Sequence, residues 1–419
     1  MILQETVTKV NGLTLHVVPT KKFKTVTVTL KMKSPLNKED VTMRTLIPYI
    51  LTHATKKYPT YHELRKYLDE LYGTTLYVDL NKAGEYHICN FFMDFANEKF
   101  ISHKDDLLKD GLNLLNELLF QPLVKDGAFD SSILEQEKIN LKDKIASIYD
   151  DKMKYSLNKL VEIMCKDERY SIPPYGYEED LQTITTQNLY DYYKKMIAED
   201  EIDLYVIGDV NPEEVNELVS AILPFKERQP KLVEDNEVKQ IQEEKVEKED
   251  QNLKQGKLNI GFRTFTGYGD DDYFALQVAN GIFGGFSHSK LFINVREKES
   301  LAYYATSRIA SHKQLMLVMS GIDPTNFEKA TNIILEQLEQ MKSGKFTEDE
   351  IIQTKAVLKN QVLEALDTQR GTIDNLYYNV VARKQVPINE WLERIEKVTK
   401  EEIIEVSKKI QLDTTFFLV

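Results

Sequence analysis

The chain has 419 residues, 42% hydrophobic and 29% charged, enough to bury a large core in roughly two to four domains. A net charge of -13 argues against nucleic-acid binding, which draws most of its affinity from Lys and Arg neutralising phosphates. Cys89 and Cys165 are the only cysteines and neither sits in a C-x-x-C pair, which argues against a disulfide framework or a cysteine zinc cluster and suits a reducing, cytoplasmic setting.

The opening MILQETVTKVNGLTLHVV lacks a basic region followed by an apolar run, and no stretch of about 18 apolar residues occurs, so neither export nor membrane insertion is expected. Residues 13–18 and 26–32 are rich in β-branched side chains around Pro19 and a lysine-rich turn, which predicts a β-hairpin. A helix is expected within 44–60, RTLIPYILTHATKKYPT. YHELRKYLDELYGTTLYVDL then reads as an amphipathic helix stopped by Gly73 and followed by a strand. EYHICNFFMDF gives another strand and DLLKDGLNLLNELLF another helix.

Two internal echoes suggest that one domain has been duplicated. TITTQNLYDYYKKM (183–196) and KVTKEEIIEVSKKI (397–410) superpose without gaps, with Ile184, Leu189 and Met196 facing Val398, Ile403 and Ile410. Thr185 and Thr399 are plausible N-caps, and Thr399 with Glu402 has capping-box spacing. The second echo pairs 206–223 with 319–338, each a strand, a turn and a helix, with Pro212 and Pro324 at the helix starts. Between the halves, the Glu-, Gln- and Lys-rich stretch at 230–256 reads as a linker, with a solvated helix as the alternative. The expected division is a domain over 1–229, the acidic linker 230–256, and a second domain over 257–419.

His53 and the pair His62-Glu63 invite a metal reading. A catalytic zinc takes three protein ligands, and the H-x-x-E-H motif sets two histidines four apart on one helical face. The positions four before and four after His53 hold Tyr49 and Lys57, and Pro59 separates His53 from His62, so two partly exposed histidines near helix ends fit better. In NGIFGGFSHSKLFINVREKESLAYYATSRI (280–309), Gly281, Gly284 and Gly285 permit a tight bend. Ser287 or Ser289 can then cap a helix carrying Leu291, Phe292 and Val295 on one face. The G-K-[ST] ending of a phosphate loop is missing. Arg296 and Tyr303 are suitable donors for a peptide carbonyl, while the alternative pairs Arg296 with Glu297 or Glu299 and packs Tyr303 in a core.

NGLTLHVVPTKKFKTVTVTLKMKSP, TKKYPTYHELRKYLDELYG, DLYVIGDVNPEEV and REKESLAYY, in that order, resemble the pitrilysin/insulinase family of zinc peptidases across almost the whole chain. The chain is most similar to the branch of about 400-residue subunits related to mitochondrial processing peptidase, and within it to the bacterial type without the zinc motif. The resemblance implies an α+β (α/β sandwich) fold of two homologous domains in a clamshell, each a mixed, mostly antiparallel sheet with helices packed on one side. Anchored on TKKYP, the metal motif falls on 45–49, so Thr45 and Tyr49 stand for the histidines and Pro48 for the glutamate base. The third ligand falls on Lys144, beside Asp143. The resemblance therefore implies no zinc, no other cofactor and no independent hydrolysis.

The family's Arg and Tyr, seven apart, hold the substrate carbonyl next to a zinc bound in the other domain; they match Arg296 and Tyr303, with Tyr304 as a substitute. The implied role is the non-zinc subunit of a peptidase pair. It would help a zinc-bearing paralogue bind an extended peptide or unfolded segment along a sheet edge. A heterodimer is expected, with a homodimer possible, and neither nucleic acid nor membrane as partner. The alternative is an inactive peptide-binding or scaffold protein of the same fold.

Overall fold

The computed structural model describes residues 4–101, 106–233 and 240–419. The chain divides into two compact units, Met1–Ser147 with Ile172–Glu234, and Ile148–Ser171 with Asp235–Val419.

The first unit is built on β1 (Thr6–Val10), β2 (Leu13–Pro19), β3 (Thr25–Pro35), β4 (Thr75–Ala83), β5 (Tyr86–Ala96) and, after the short ribbon β6 (Val124–Lys125) and β7 (Ala128–Phe129), β8 (Glu201–Gly208). The sheet order is β1-β2-β8-β3-β5-β4. The strands expected at 13–18 and 26–32 form, but not as a hairpin: β8 lies between them, parallel to β2 and antiparallel to β3. β8 is buried along nearly its whole length and needs a neighbour on each side. The true hairpin is β1–β2, closed by Asn11 and Gly12 at φ 48° and 77°, and this Asn-Gly pair is a strong turn signal in the sequence.

Along β3, Val26, Val28, Leu30 and Met32 alternate onto the core face. There they meet Leu46, Ile47 and Ile50 of α1 (Val41–Leu51), Leu64 and Leu68 of α2 (Tyr61–Glu70), and the leucines of α3 (Leu107–Phe120). α4 (Ser131–Asp150) follows, and the same core takes in α6 (Thr186–Glu199) and α7 (Pro212–Ile222). Between them in sequence, α5 (Lys152–Met164) belongs to the second unit. Full burial of each such side chain contributes about 1.5–3 kcal/mol, so the alternation alone fixes which face of the sheet the helices cover.

The second unit holds β9 (Lys245–Glu249), β10 (Gly256–Arg263), β11 (Ala302–Ala310), β12 (Leu315–Ile322) and β13 (Gln411–Leu418), in the order β11-β12-β10-β13-β9. Its pairing repeats that of the first sheet. β9-β13-β10-β12-β11 and β2-β8-β3-β5-β4 share one parallel pair followed by three antiparallel ones. β8 therefore corresponds to β13, as the echo of 183–196 in 397–410 implies, and the capping boxes at Thr185 and Thr399 are both present. The second echo would match β8 to β12, and the pairing rules that equivalence out.

One strand of this sheet lies inside the stretch expected as a linker. β9 has the sequence KVEKE and is exposed along most of its length, so no apolar alternation marks it. Residues 234–239 of that stretch lie outside the described residues. Helices α8 (Tyr273–Asn280), α9 (Phe327–Lys342), α10 (Glu348–Ala365), α12 (Ile388–Lys397) and α13 (Lys400–Lys409) share one core, with α11 (Gln369–Ala382) beside α10. α5 covers the other face, where Leu157, Leu160, Val161 and Met164 meet Leu315, Leu317, Phe416 and Leu418. Buried Arg263 fastens the end of this segment, bonding Asp413 (2.8 Å), Glu168 (2.6 Å) and the Met164 carbonyl (3.0 Å). Lys313 adds a 2.5 Å contact to Glu168.

Candidate functional site

The expected helix at 44–60 is realised as α1, which ends at Leu51; residues 52–60 form turns and one isolated bridge from Thr55 to Pro122. α1 is buried on most sides because Arg44 carries its charge inward, bonding Asp200 at 2.9 and 2.6 Å and the Met32 carbonyl at 2.9 Å.

Each residue at a motif position is committed to something other than a metal. Thr45 is fully buried, and its Oγ1 donates to the Pro174 carbonyl at 3.0 Å. His87 Nε2 donates to the same oxygen at 2.8 Å, and burial, with Arg44 next, pushes His87 down to about 3, so its ring is neutral. Pro48 has no N–H for the Arg44 carbonyl one turn back, and the Cys89 thiol approaches that oxygen at 3.9 Å instead. Tyr49 is partly buried; burial first, then Tyr175 and Asp79, keep its phenol protonated. Lys144 is exposed on α4, with Nζ 5.5 Å from the Tyr175 ring centroid, so a cation stands at the third-ligand position.

The segment carrying Pro174 and Tyr175 closes over α1. Gly176 has φ +72°, and a Cβ there would lie 2.2 Å from Thr42 Oγ1, so only glycine permits this approach. Thr42 Oγ1 donates to Asp180 Oδ2 at 2.5 Å and accepts from the Tyr177 amide at 3.0 Å. Sequence reasoning missed this cover, although P-P-Y-G at 173–176 is a turn signal. It also missed a partner for His53, whose Nδ1 lies 2.9 Å from Glu137 Oε1. That makes two candidate ligands, and among the described residues no group of three His, Cys, Asp or Glu could hold a metal. A zinc ion does not fit a buried hydroxyl that is donating, an imide nitrogen, a protonated phenol and an ammonium.

Arg296 and Tyr303 are placed very differently. The glycine stretch Gly281–Gly285 and the segment Leu291–Lys298 both wind as π-helix, a form found often at functional sites. Gly284 lets β11 come close, since a Cβ would meet Ser307 Oγ at 2.6 Å; Thr306 Oγ1 donates to the Gly284 carbonyl at 3.0 Å. Arg296 is exposed, its guanidinium 4.5 Å from the Phe292 ring centroid. Neither acid expected as its partner takes it: among the described residues Arg296 has no ion pair, and Glu299 pairs with Lys329 at 2.8 Å. Tyr303 is 72% exposed rather than packed in a core. It is the extra residue of a β-bulge, because Ala302 opposes Ile322 and Tyr304 opposes Gly321 with Tyr303 between them. A bulge re-aims a side chain, and β11 is an edge strand. Tyr304 is half-buried against Gly321, and burial, then Asp151, push its phenol up to about 12.

Residues 183–358 match a family profile described as "Peptidase M16 inactive domain". A Bacillus subtilis (strain 168) protein called "Probable inactive metalloprotease YmfF" is 49% identical over 416 residues, 99% of this chain and 98% of that one. The "Mitochondrial-processing peptidase subunit beta" of Saccharomyces cerevisiae is 24% identical over 72% of this chain and 68% of its own. The crystal structure of a conserved Enterococcus faecalis V583 protein superposes with a TM-score of 0.92 at 38% identity, covering 99% of this chain and 98% of that one.

Proposed function

Since this chain belongs to the pitrilysin/insulinase (M16) peptidase family and lacks its zinc motif, we propose that it works as the non-zinc subunit of a peptidase pair. The observation that carries the reading is an asymmetry within one chain. The positions that would bind metal are closed by Pro174 and Tyr175, while Arg296 and Tyr303 stand exposed on a π-helical segment and a bulged edge strand.

A guanidinium and a phenol on adjoining elements donate hydrogen bonds to a peptide carbonyl and to the oxyanion it becomes under attack. β11, as an edge strand, offers unpaired backbone groups to an extended peptide. Water activation and proton transfer would fall to a zinc-bearing paralogue. The yeast relative is by name one subunit of a processing peptidase, which supports a paired arrangement.

The test is to mix the chain with a paralogue carrying an intact H-x-x-E-H and to follow cleavage of an unstructured peptide. Hydrolysis should rise at least tenfold over the paralogue alone. A paralogue fully active by itself would overturn the reading. Peptide binding without turnover in every such mixture would favour the scaffold role instead.

A further inference from the structure

Beyond Arg296 and Tyr303, the edge strand β11 holds a further exposed side chain, Arg308. Arg308 opposes Leu317 of β12. Directly opposed residues share a face, and Leu317 packs against α5, so Arg308 stands on that face at the border of the sheet. Among the described residues it has no ion pair and its side chain makes no hydrogen bond. Elsewhere in this unit Arg263, Arg370 and Arg394 each pair with a carboxylate, while Arg296 and Arg308, at the two ends of one edge, pair with none.

The surrounding strands give the reason. β10, β11 and β12 contain no Asp or Glu, although these make up 67 of the 419 residues. Their only charges are Lys257, Arg263 and Arg308, and Arg263 is taken up by Glu168 and Asp413. Lys257 lies 5.8 Å from the Tyr304 ring centroid, next to the bulge. The equivalent border of the first sheet, β4 and β5, carries Asp79 and Asp94, so the pairing scheme does not itself demand an acid-free strip. A cationic edge on a chain of net charge -13 complements a ligand of negative charge.

We propose that Arg308 selects acidic peptides, accepting an Asp or Glu side chain about four to six residues to one side of the bond held by Arg296 and Tyr303. The inference rests on the peptide-positioning role given to that pair. Five residues at about 3.3 Å each separate Tyr303 from Arg308, and the bulge removes one step of the ladder, which sets the window. A carboxylate opposite Arg308 on an added strand shares its face and meets the guanidinium fork.

The test uses the full chain, alone and mixed with a zinc-bearing paralogue. The probes are fluorescein-labelled dodecapeptides of Ala, Ser and Thr with a single Glu moved one position at a time, and Gln as the neutral control. Glu peptides should bind the chain alone about fivefold more tightly than Gln peptides, read by anisotropy. In the mixture the cleaved bond, located by mass spectrometry, should follow the Glu at one fixed separation. Arg308→Ala should erase both effects without moving the thermal midpoint, and Arg308→Glu should transfer the preference to Lys. Turnover at bonds indifferent to the Glu, or a preference that survives Arg308→Ala, would overturn the proposal while leaving the peptidase pair standing. Glu-selective binding lost in Arg308→Ala, with no turnover in any mixture, would uphold acidic selection and sink the pair instead. Equal binding of Glu and Gln peptides to the chain alone would overturn the proposal whatever the turnover.

Discussion

Arg44 carries a full charge into the first core, and it is tolerable there because Asp200 and the Met32 carbonyl take up its hydrogen bonds. Arg44→Ala would leave the buried Asp200 carboxylate without the guanidinium that bonds both its oxygens, so it should cost about 3–5 kcal/mol by chemical denaturation, with Arg44→Leu/Asp200→Leu recovering much of the loss. Near it, His87 is neutral when folded because burial and Arg44 hold its pKa down at about 3. The unfolded chain takes up that proton near the ordinary value of about 6.5. The contribution is therefore complete above about pH 6.5 and is lost as pH falls toward 3. A thermal-midpoint series from pH 8 to 4 should slope downward, and His87→Gln should flatten the slope. Part of this site was legible in sequence: once the family resemblance anchors the motif on TKKYP, Thr45, Pro48 and Tyr49 stand where its histidines and glutamate would be. The sequence could not reveal that Thr45 and His87 share the Pro174 carbonyl, because that contact joins segments far apart in the chain.

At the scale of elements, the network of Arg263, Glu168, Asp413 and Lys313 binds the segment after α5 to β10 and β13. Burial opposes ionisation of Glu168, yet Arg263 and Lys313 hold its carboxyl below the usual range. Its stabilisation is thus present above the unfolded value of about 4.3 and lost as pH falls through the folded one. Glu168→Gln should destabilise the second unit by about 3 kcal/mol at pH 7 and by much less at pH 3, as read from melting of its amides. β9 makes the opposite case. It has a single neighbour, β13, and exposed charged side chains, so its amides should exchange with deuterium faster than those of β10, which is flanked by β12 and β13. Equal protection would contradict the edge assignment. These two elements also mark where sequence reading stops. α3, α6, α13 and β5 show in their periodicity because each has one apolar face, whereas β9 has none to show. α5 is recognisable as a helix, but nothing local tells which unit's sheet it covers.

For the whole molecule, the duplicated pairing scheme explains how one half can lose its chemistry while the other keeps an exposed pair of donors. The two sheets are separate cores, and substitutions at 45–49 are absorbed within the first. Returning the motif, with Thr45→His, Pro48→Glu, Tyr49→His and Lys144→Glu together, should yield less than stoichiometric zinc by elemental analysis while Pro174 and Tyr175 still cover α1. Stoichiometric zinc in that variant would show that residue type alone closed the site. Among the described residues no helix is long and apolar enough to cross a membrane. The division of labour is tested most directly by the kcat of an equimolar mixture of a zinc-bearing paralogue with the Arg296→Ala chain. Arg296 is exposed and free of ion pairs among the described residues, so the variant should melt and associate as the wild type does while kcat falls about 10²-fold. An unchanged kcat in a mixture that otherwise depends on this chain would contradict it.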